Sequence, residues 1–484
     1  MRCRPARPRA HLAVAALVAS TAVVGCATAT PVATKAQEPS TTTTSAPPAP
    51  SLPIATSTST SSTSSTTSTS VPPDELPVPI TALPAGFSLV STAPSDAVRV
   101  GRSWEYGTWT GLAMTTDDAG TEGAVVAFTH VVDLATGTTA LQVARWNRDD
   151  GTWASPAELQ RGRLSPTLAG TAPVAMATGD GQIVGVVTEV QDEQGRSQGI
   201  TLRTSDDGGD GWRSETVTSR PASAPSAAIH QGVAVVGFWQ AGDLVVATKD
   251  LSADAGWVPV VVPLPEGTMA AGSGPVVAVA PDGRIGVGAV VDGVDGTGRR
   301  VVWWDGVADA AHEVVPLPAA TSPADVPPSL ATVWGPAGPV LAIGDGSVAD
   351  GSDVTAAAAV VTSTDGGASF GAPAGVGADG PPARPIGLSL ASSTAPATTP
   401  APWALAFMPD TTDRGDCGLP KVAVGTSPTA WQPCLEDPPS RRIVATGLGP
   451  AVAYDAQGRL NLAVTVAASD GRLEPGVYLW RAPS

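Results

Sequence analysis

The chain has 484 residues and a formal net charge of −17, with 42% hydrophobic and only 15% charged residues. An acidic chain of this kind lacks the basic surface that binds nucleic acid, so we expect no nucleic-acid partner. Beyond the amino terminus, no apolar run approaches the roughly 18 residues of a membrane-spanning helix. We therefore expect the bulk of the chain to be soluble.

The amino terminus has the charge pattern of an export signal. Arginines recur through residues 2–9, and the uncharged run 12–25 that follows is too short to span a membrane as a mature helix. Residues 23–26 read Val-Val-Gly-Cys, which resembles the lipobox of bacterial lipoproteins. The resemblance implies that residues 1–25 are a signal peptide and that Cys26 is lipidated, which would anchor the exported protein to the outer face of the cytoplasmic membrane. The alternative is an ordinary signal with a chance cysteine near its end.

Residues 26–78 have the composition of a flexible linker. They are almost entirely Ser, Thr, Pro and Ala, and such a segment cannot bury enough apolar surface to offset its ordering entropy. As a coil, its roughly 50 residues would span about 40 Å. The membrane is therefore an expected partner through the lipid anchor, with the folded domain held away from its surface.

Residues 79–484 contain strand-like runs that recur in a fixed order. The clearest series begins at Ala124, Ile183, Val233, Ile285, Val340, Trp403 and Leu460. A run of small residues precedes each member, and a third apolar run follows it. A fourth segment then opens at Phe87, Trp153, Trp212, Trp257, His312, Phe370 or Trp431. The mean spacing of about 57 residues is typical of four-stranded β-propeller blades.

The repeats predict an all-β fold, a β-propeller of seven four-stranded blades. The run 87–90 matches a fourth strand, whereas the chain ends after the third strand of its last repeat. We therefore expect the N-terminal strand to pair into the last blade and close the ring. A merged or split repeat would give six or eight blades. We expect a monomer.

Two turns within the repeats share the pattern S-x-D-x-G-x-x-aromatic. The residues concerned are Ser205, Asp207, Gly209 and Trp212, and Ser363, Asp365, Gly367 and Phe370. In such a turn the acid can accept backbone N–H bonds, and glycine can adopt a left-handed conformation. The turns resemble the Asp boxes, or BNR repeats, of sialidase-type and sortilin-type propellers. In those families the motif lies away from the active site, which implies a structural role here.

The same resemblance raises the alternative of a sialidase-like glycoside hydrolase. Such an enzyme needs an arginine triad, a tyrosine nucleophile paired with glutamate, and an acid/base aspartate. The three tyrosines, Tyr106, Tyr454 and Tyr478, do not stand in a matching context. We therefore assign no catalytic residue.

We also predict no metal site and no cofactor. The histidines that follow the signal segment, His130, His230 and His312, lie in different repeats, and none has the spacing of a zinc motif. Acids gather in the loops between second and third strands, among them residues 292–296 and 345–353. These loops could bind Ca²⁺ or a basic protein patch, or could simply be solvated.

Cys417 and Cys434 are the two cysteines of the folded region. In an exported protein they predict a disulfide, worth about 3 kcal/mol in the chain-entropy model. The alternative is two free buried thiols.

The sequence thus favours a surface-exposed binding or assembly module of the bacterial cell envelope, with an envelope protein or glycan as partner. The competing hypotheses are the sialidase-like enzyme and a purely structural envelope protein.

Overall fold

A computed structural model describes the chain from residue 88 onward in segments. The described residues are 88–89, 110–116, 122–133, 138–147, 151–154, 156–162, 174–177, 181–192, 196–294, 298–318, 328–345, 348, 356–377, 385–393, 402–409, 421–428, 430–431, 443–444, 449–466, 468–469 and 476–481.

Most of the described residues lie in antiparallel strands. The first strands are β1 (Ser88–Leu89), β2 (Thr110–Thr116), β3 (Glu122–Asp133), β4 (Thr138–Asn147), β5 (Thr152–Trp153), β6 (Ala157–Gly162), β7 (Val174–Ala177), β8 (Val184–Gln191), β9 (Ser197–Ser205), β10 (Arg213–Thr218), β11 (Ser223–His230), β12 (Val233–Gln240), β13 (Asp243–Asp250) and β14 (Val258–Val262). The middle strands are β15 (Thr268–Ala270), β16 (Val276–Val279), β17 (Ile285–Gly293), β18 (Arg299–Trp304), β19 (His312–Leu317), β20 (Leu330–Gly335), β21 (Gly338–Ile343), β22 (Ala356–Thr362) and β23 (Ala374–Gly377). The last strands are β24 (Pro385–Ser392), β25 (Trp403–Pro409), β26 (Lys421–Ser427), β27 (Ala430–Trp431), β28 (Ile443–Val444), β29 (Ala451–Tyr454), β30 (Leu460–Val466), β31 (Ala468–Ser469) and β32 (Gly476–Arg481).

These strands pair into seven sheets of four or five strands, here numbered in chain order. Sheet 1 contains β2 to β6, sheet 2 contains β7 to β10, sheet 3 contains β11 to β14, sheet 4 contains β15 to β19, sheet 5 contains β20 to β23, sheet 6 contains β24 to β27, and sheet 7 contains β29, β30, β32 and β1. Each predicted second-strand run lies in a different sheet, directly beside that sheet's innermost strand. The short ribbon β28–β31 and the extra strand β15 were not predicted, because no repeat pattern marks them. Strand β6, which pairs with β4, lies in the predicted fourth segment that opens at Trp153.

The sheets are arranged in a ring. The innermost strands are β2, β7, β11, β16, β20, β24 and β29. Each lies against the innermost strand of the next sheet, and β29 lies against β2, so the series returns to its start. Radially arranged antiparallel sheets in a closed ring form a β-propeller. The predicted all-β, β-propeller fold is therefore confirmed.

The N-terminal strand closes the ring as the sequence predicts. Ser88 pairs with Arg481 and Leu89 with Trp480, so β1 becomes the outer strand of sheet 7. This pairing covers the edge of β32, which would otherwise present unpaired backbone groups to solvent.

The core lies between the sheets. Each of six apolar clusters joins two neighbouring sheets; one links sheets 4 and 5 through residues such as Val301 and Leu341. The second strands are almost continuous apolar runs, such as VAVVGFW in β12, because both faces of each sheet are covered by its neighbours. Trp303 and Phe238 are among the largest fully buried side chains. The ring is therefore held by sheet-to-sheet packing.

Ion pairs add to that packing where sheet 7 meets sheet 1. Arg459, in the β29–β30 turn, lies 2.9 Å from Glu122 of β3 and 2.7 Å from Asp455 of its own turn. Glu122 and Asp455 are both buried. Removing one partner of such a pair would leave an uncompensated buried charge at the contact between the two sheets.

Candidate functional site

The innermost strands carry no charged residues of the Asp, Glu, Lys or Arg type, and many of their side chains are small. Representative sequences are SAPSAAIH in β11, VVAV in β16 and AVAY in β29. Across all seven innermost strands the residues include no Asp, Glu, Lys or Arg. The innermost strands therefore bring no acidic side chain, lysine or arginine to the centre of the ring.

The described arginines lie elsewhere. They are Arg145, Arg161, Arg203, Arg213, Arg299, Arg300 and Arg481 in middle or outer strands, and Arg196, Arg220, Arg284 and Arg459 in connections. Most of them form ion pairs with nearby acids, such as Arg161 with Glu158 and Arg299 with Asp292. Within the described segments, therefore, no arginine lies in an innermost strand, and most arginines bind acids close to their own strand or turn.

Arg203 differs from the paired arginines, because its buried guanidinium contacts neutral acceptors. It donates to the Leu159 carbonyl at 3.1 Å, the Thr188 hydroxyl at 2.9 Å and the Gln160 amide oxygen at 2.7 Å. Burial lowers the pKa of Arg203 to about 10. These bonds join β9 of sheet 2 to β6 of sheet 1, so Arg203 acts as a link between sheets.

The Ser205 turn, between β9 and β10, is organised by two side chains. The Ser205 hydroxyl donates to Oδ1 of Asp207 at 2.6 Å and accepts the Gly209 N–H at 2.7 Å. Asp207 also accepts the backbone N–H groups of Asp210 and Gly211. Partial burial opposes ionisation of Asp207, but these hydrogen bonds outweigh it and lower the pKa.

The Ser363 turn, between β22 and β23, repeats the arrangement. Ser363 donates to Asp365 at 2.7 Å and accepts the Gly367 N–H at 2.8 Å. Asp365 also accepts the hydroxyl and the N–H of Ser369. The Ser369 hydroxyl, followed by that of Ser363, lowers the pKa of Asp365 well below its ordinary value.

Both turns pack against the preceding sheet. A Cβ at Gly209 would lie 2.8 Å from Val125 of sheet 1, and a Cβ at Gly367 would overlap the indole of Trp303 in sheet 4. Phe370 meets Trp303 edge-on, with ring centroids 5.5 Å apart. Each turn is therefore held by its own hydrogen bonds and packs against a neighbouring sheet. The carboxylates of Asp207 and Asp365 are both used as acceptors in these hydrogen bonds.

Several loop acids are neutralised locally. Asp192 pairs with Arg196 at 2.8 Å within one β8–β9 connection, and Asp292 pairs with Arg299 at 2.8 Å across the ends of β17 and β18. Asp345 is buried. Within the described residues, no group of three His, Cys, Asp or Glu side chains could hold a metal ion.

A buried acid lies where sheet 2 meets sheet 3. Glu189, at the end of β8, is mostly buried and accepts a hydrogen bond from the Gln191 amide at 2.9 Å. Burial raises the pKa of Glu189 despite that bond. It faces the backbone of Ala224, a non-glycine residue with a φ of 53°.

Other predicted residues fall outside the described part of the chain. These are Cys26, Cys417, Cys434 and Tyr106, together with residues 295–296 of the first acidic segment and all of the segment 345–353 except Asp345 and Val348. Tyr454 is described: burial raises the pKa of its phenol, as expected for a packing residue. Within the described segments, no helix has the length and apolar character to cross a membrane.

Sequence-pattern reasoning missed an exposed apolar outer strand. Val258, Val260 and Val261 of β14 are 60%, 44% and 57% exposed. The signal in the sequence is the uncharged run WVPVVVPLP (257–265), which the repeat pattern predicts only as a fourth strand.

Comparison with known proteins gives distant structural likenesses. No protein-family model and no curated protein matches the chain. An α-L-arabinanase from Penicillium chrysogenum is 12% identical, with 83% of this chain and 98% of that chain covered and a TM-score of 0.40. A six-bladed, fucose-recognising lectin from Aleuria aurantia is 10% identical, with 77% of this chain and 91% of the lectin chain covered and a TM-score of 0.37. The NanB sialidase from Streptococcus pneumoniae is 9% identical, with 82% of this chain and 70% of the sialidase chain covered and a TM-score of 0.38.

Proposed function

We propose that this protein is an envelope binding or assembly module: a β-propeller domain exported from a bacterial cell, anchored through lipidated Cys26 and carried on the linker 26–78. Its partner is an envelope protein or glycan. The proposal combines the lipobox resemblance with a ring whose sheets are fixed to one another by packing and ion pairs. Such a scaffold presents its surfaces without needing to rearrange.

We infer that each of the seven sheets is one blade. This inference is supported by the cyclic contacts of the seven innermost strands and by the pairing of β1 with β32. The Ser205 and Ser363 turns are then two Asp boxes, which occupy equivalent turns between third and fourth strands. Each one packs its blade against the preceding blade.

The observation that carries the binding hypothesis is the uncharged lining of the innermost strands. Sialidase-like chemistry calls for several arginines and a Tyr-Glu pair converging near the axis. In the described segments the arginines occupy middle strands, outer strands and connections instead. Innermost strands without charged side chains leave charged recognition to the loops and outer surfaces.

Binding and hydrolysis can be separated in one experiment. The full chain is mixed with purified envelope fragments and, separately, with chromogenic sialosides and arabinofuranosides. We expect saturable co-sedimentation with the fragments and no release of chromophore, with an unrelated β-propeller as control. Turnover that persists in a highly purified sample, or sedimentation no greater than the control, contradicts the proposal.

The anchor is tested by Cys26→Ala. We expect the variant to leave the membrane fraction or to remain unprocessed, with a Cys3→Ala variant behaving like the natural chain. Unchanged membrane retention of Cys26→Ala would falsify lipidation at that site.

A further inference from the structure

The outer strand of sheet 3 carries an exposed apolar surface that no hydrogen-bonding or catalytic role explains. We call residues 258–261 the β14 strip. All four residues are exposed, and no charged residue occurs from Trp257 to Pro265. The outer strand of sheet 2, by contrast, carries Arg213 and Glu215. Successive side chains of a strand point to opposite faces, so the strip exposes apolar groups on both sides of this edge. Exposed apolar surface of this kind often marks an interaction site.

The backbone of the strip is blocked against the addition of a further strand. The Pro263 carbonyl accepts the Ala311 N–H at 2.9 Å, so residue 263 faces away from β13. Backbone groups alternate along a strand, so Val261 and Pro259 face the same way. Proline has no N–H, which leaves Val261 as the one outward donor of these three positions. Because so few outward backbone donors remain, a partner would bind the strip mainly through side chains.

The charges around the strip indicate what that partner carries. Asp254 precedes β14, Glu266 follows it, and Asp309 lies two residues before Ala311; all three are exposed. Within the described residues none of the three forms an ion pair. Since a second copy of this chain would bring the same acids, charge complementarity favours a different, basic partner.

We propose that the β14 strip docks a protein segment with apolar side chains flanked by lysine or arginine. This inference rests on the proposed role as a binding module and assigns that role a surface and a partner chemistry. The strip is small compared with standard protein interfaces, so it forms a weak, transient contact.

The test uses synthetic peptides as probes of the full chain. One short peptide alternates Val with Lys, a second replaces Val by Ser, and a third replaces Lys by Glu. We expect measurable fluorescence-anisotropy binding of the Val-Lys peptide alone, weakening as salt rises from about 50 to about 500 mM.

Variants locate the binding surface. Val258→Thr combined with Val261→Thr keeps β-branched residues at exposed positions, so thermal unfolding should not change. We expect this double variant to bind the Val-Lys peptide at least about 10-fold more weakly. Val307→Thr, at a valine that is 79% exposed outside the strip, is the matched control and should bind normally.

Three results would overturn the proposal. They are equal binding by the double variant, equal binding of the Ser-Lys peptide, and concentration-dependent self-association that Val258→Thr/Val261→Thr abolishes. If the chain sediments with envelope fragments but ignores the Val-Lys peptide, the strip proposal fails and the binding function stands. If it does neither, both fail.

Discussion

At the scale of single residues, Asp365 couples the fold to pH. Its hydrogen bonds lower the folded-state pKa below the unfolded value of about 3.9, so the carboxylate stabilises the fold above that pH. This contribution is lost as the pH falls through the folded-state pKa. We expect Asp365→Asn to lower Tm by about 2 °C at pH 7, and by progressively less below pH ~4.

Thermal unfolding between neutral and acidic pH measures this difference. Asp243→Asn removes an exposed carboxylate at the start of β13 and serves as the charge control. A constant Tm difference across the whole range would count against a role for the Asp365 carboxylate.

At Gly367, a neighbouring sheet leaves no room for any side chain. Its φ is 102°, and an added Cβ would overlap buried Trp303. Gly283 also has a positive φ, 86°, but an added Cβ there meets nothing within 4 Å. We expect Gly283→Ala to cost about 1 kcal/mol from backbone strain and Gly367→Ala to cost about 1–3 kcal/mol more from overpacking. Urea unfolding measures both, and equal losses would show that the contact with Trp303 is unimportant.

At the scale of elements, the prolines of β14 protect an edge. Restoring an N–H with Pro259→Val would give β14 a second outward donor and extend its apolar surface. We expect this variant to associate edge to edge, detected by light scattering and sedimentation at concentrations where the natural chain stays monomeric. Pro265→Val, just beyond the strand, is the control. If both behave like the natural chain, Pro259 does not limit strand addition.

The element scale also explains what the sequence could predict. The strand order within each repeat follows from apolar runs and turn residues, which are local, and the Ser205 and Ser363 turns follow from their own side chains. The contacts that fix one sheet on another are not local. Gly367 against Trp303, Arg203 against Gln160 and Arg459 against Glu122 join residues that the chain separates widely. No spacing rule connects them.

The β14 strip was missed for a different reason. A Val-rich run has the same pattern whether its strand is buried between two sheets or lies at an outer edge. Only the three-dimensional position of β14 shows that this apolar strand lies at the surface and not in the core.

At the scale of the whole molecule, the ring depends on a strand from the opposite end of the chain. Removing residues 1–78 takes away the signal and the linker but leaves β1, so we expect its Tm to match that of the mature chain. Removing residues 1–90 also deletes β1 and exposes the edge of β32. We expect this shorter form to melt at least about 5 °C lower and to associate through the open edge. Calorimetry and sedimentation of the two truncated forms make the comparison. Equal stability of both forms would mean that the packing and ion pairs between sheets 7 and 1 close the ring without β1.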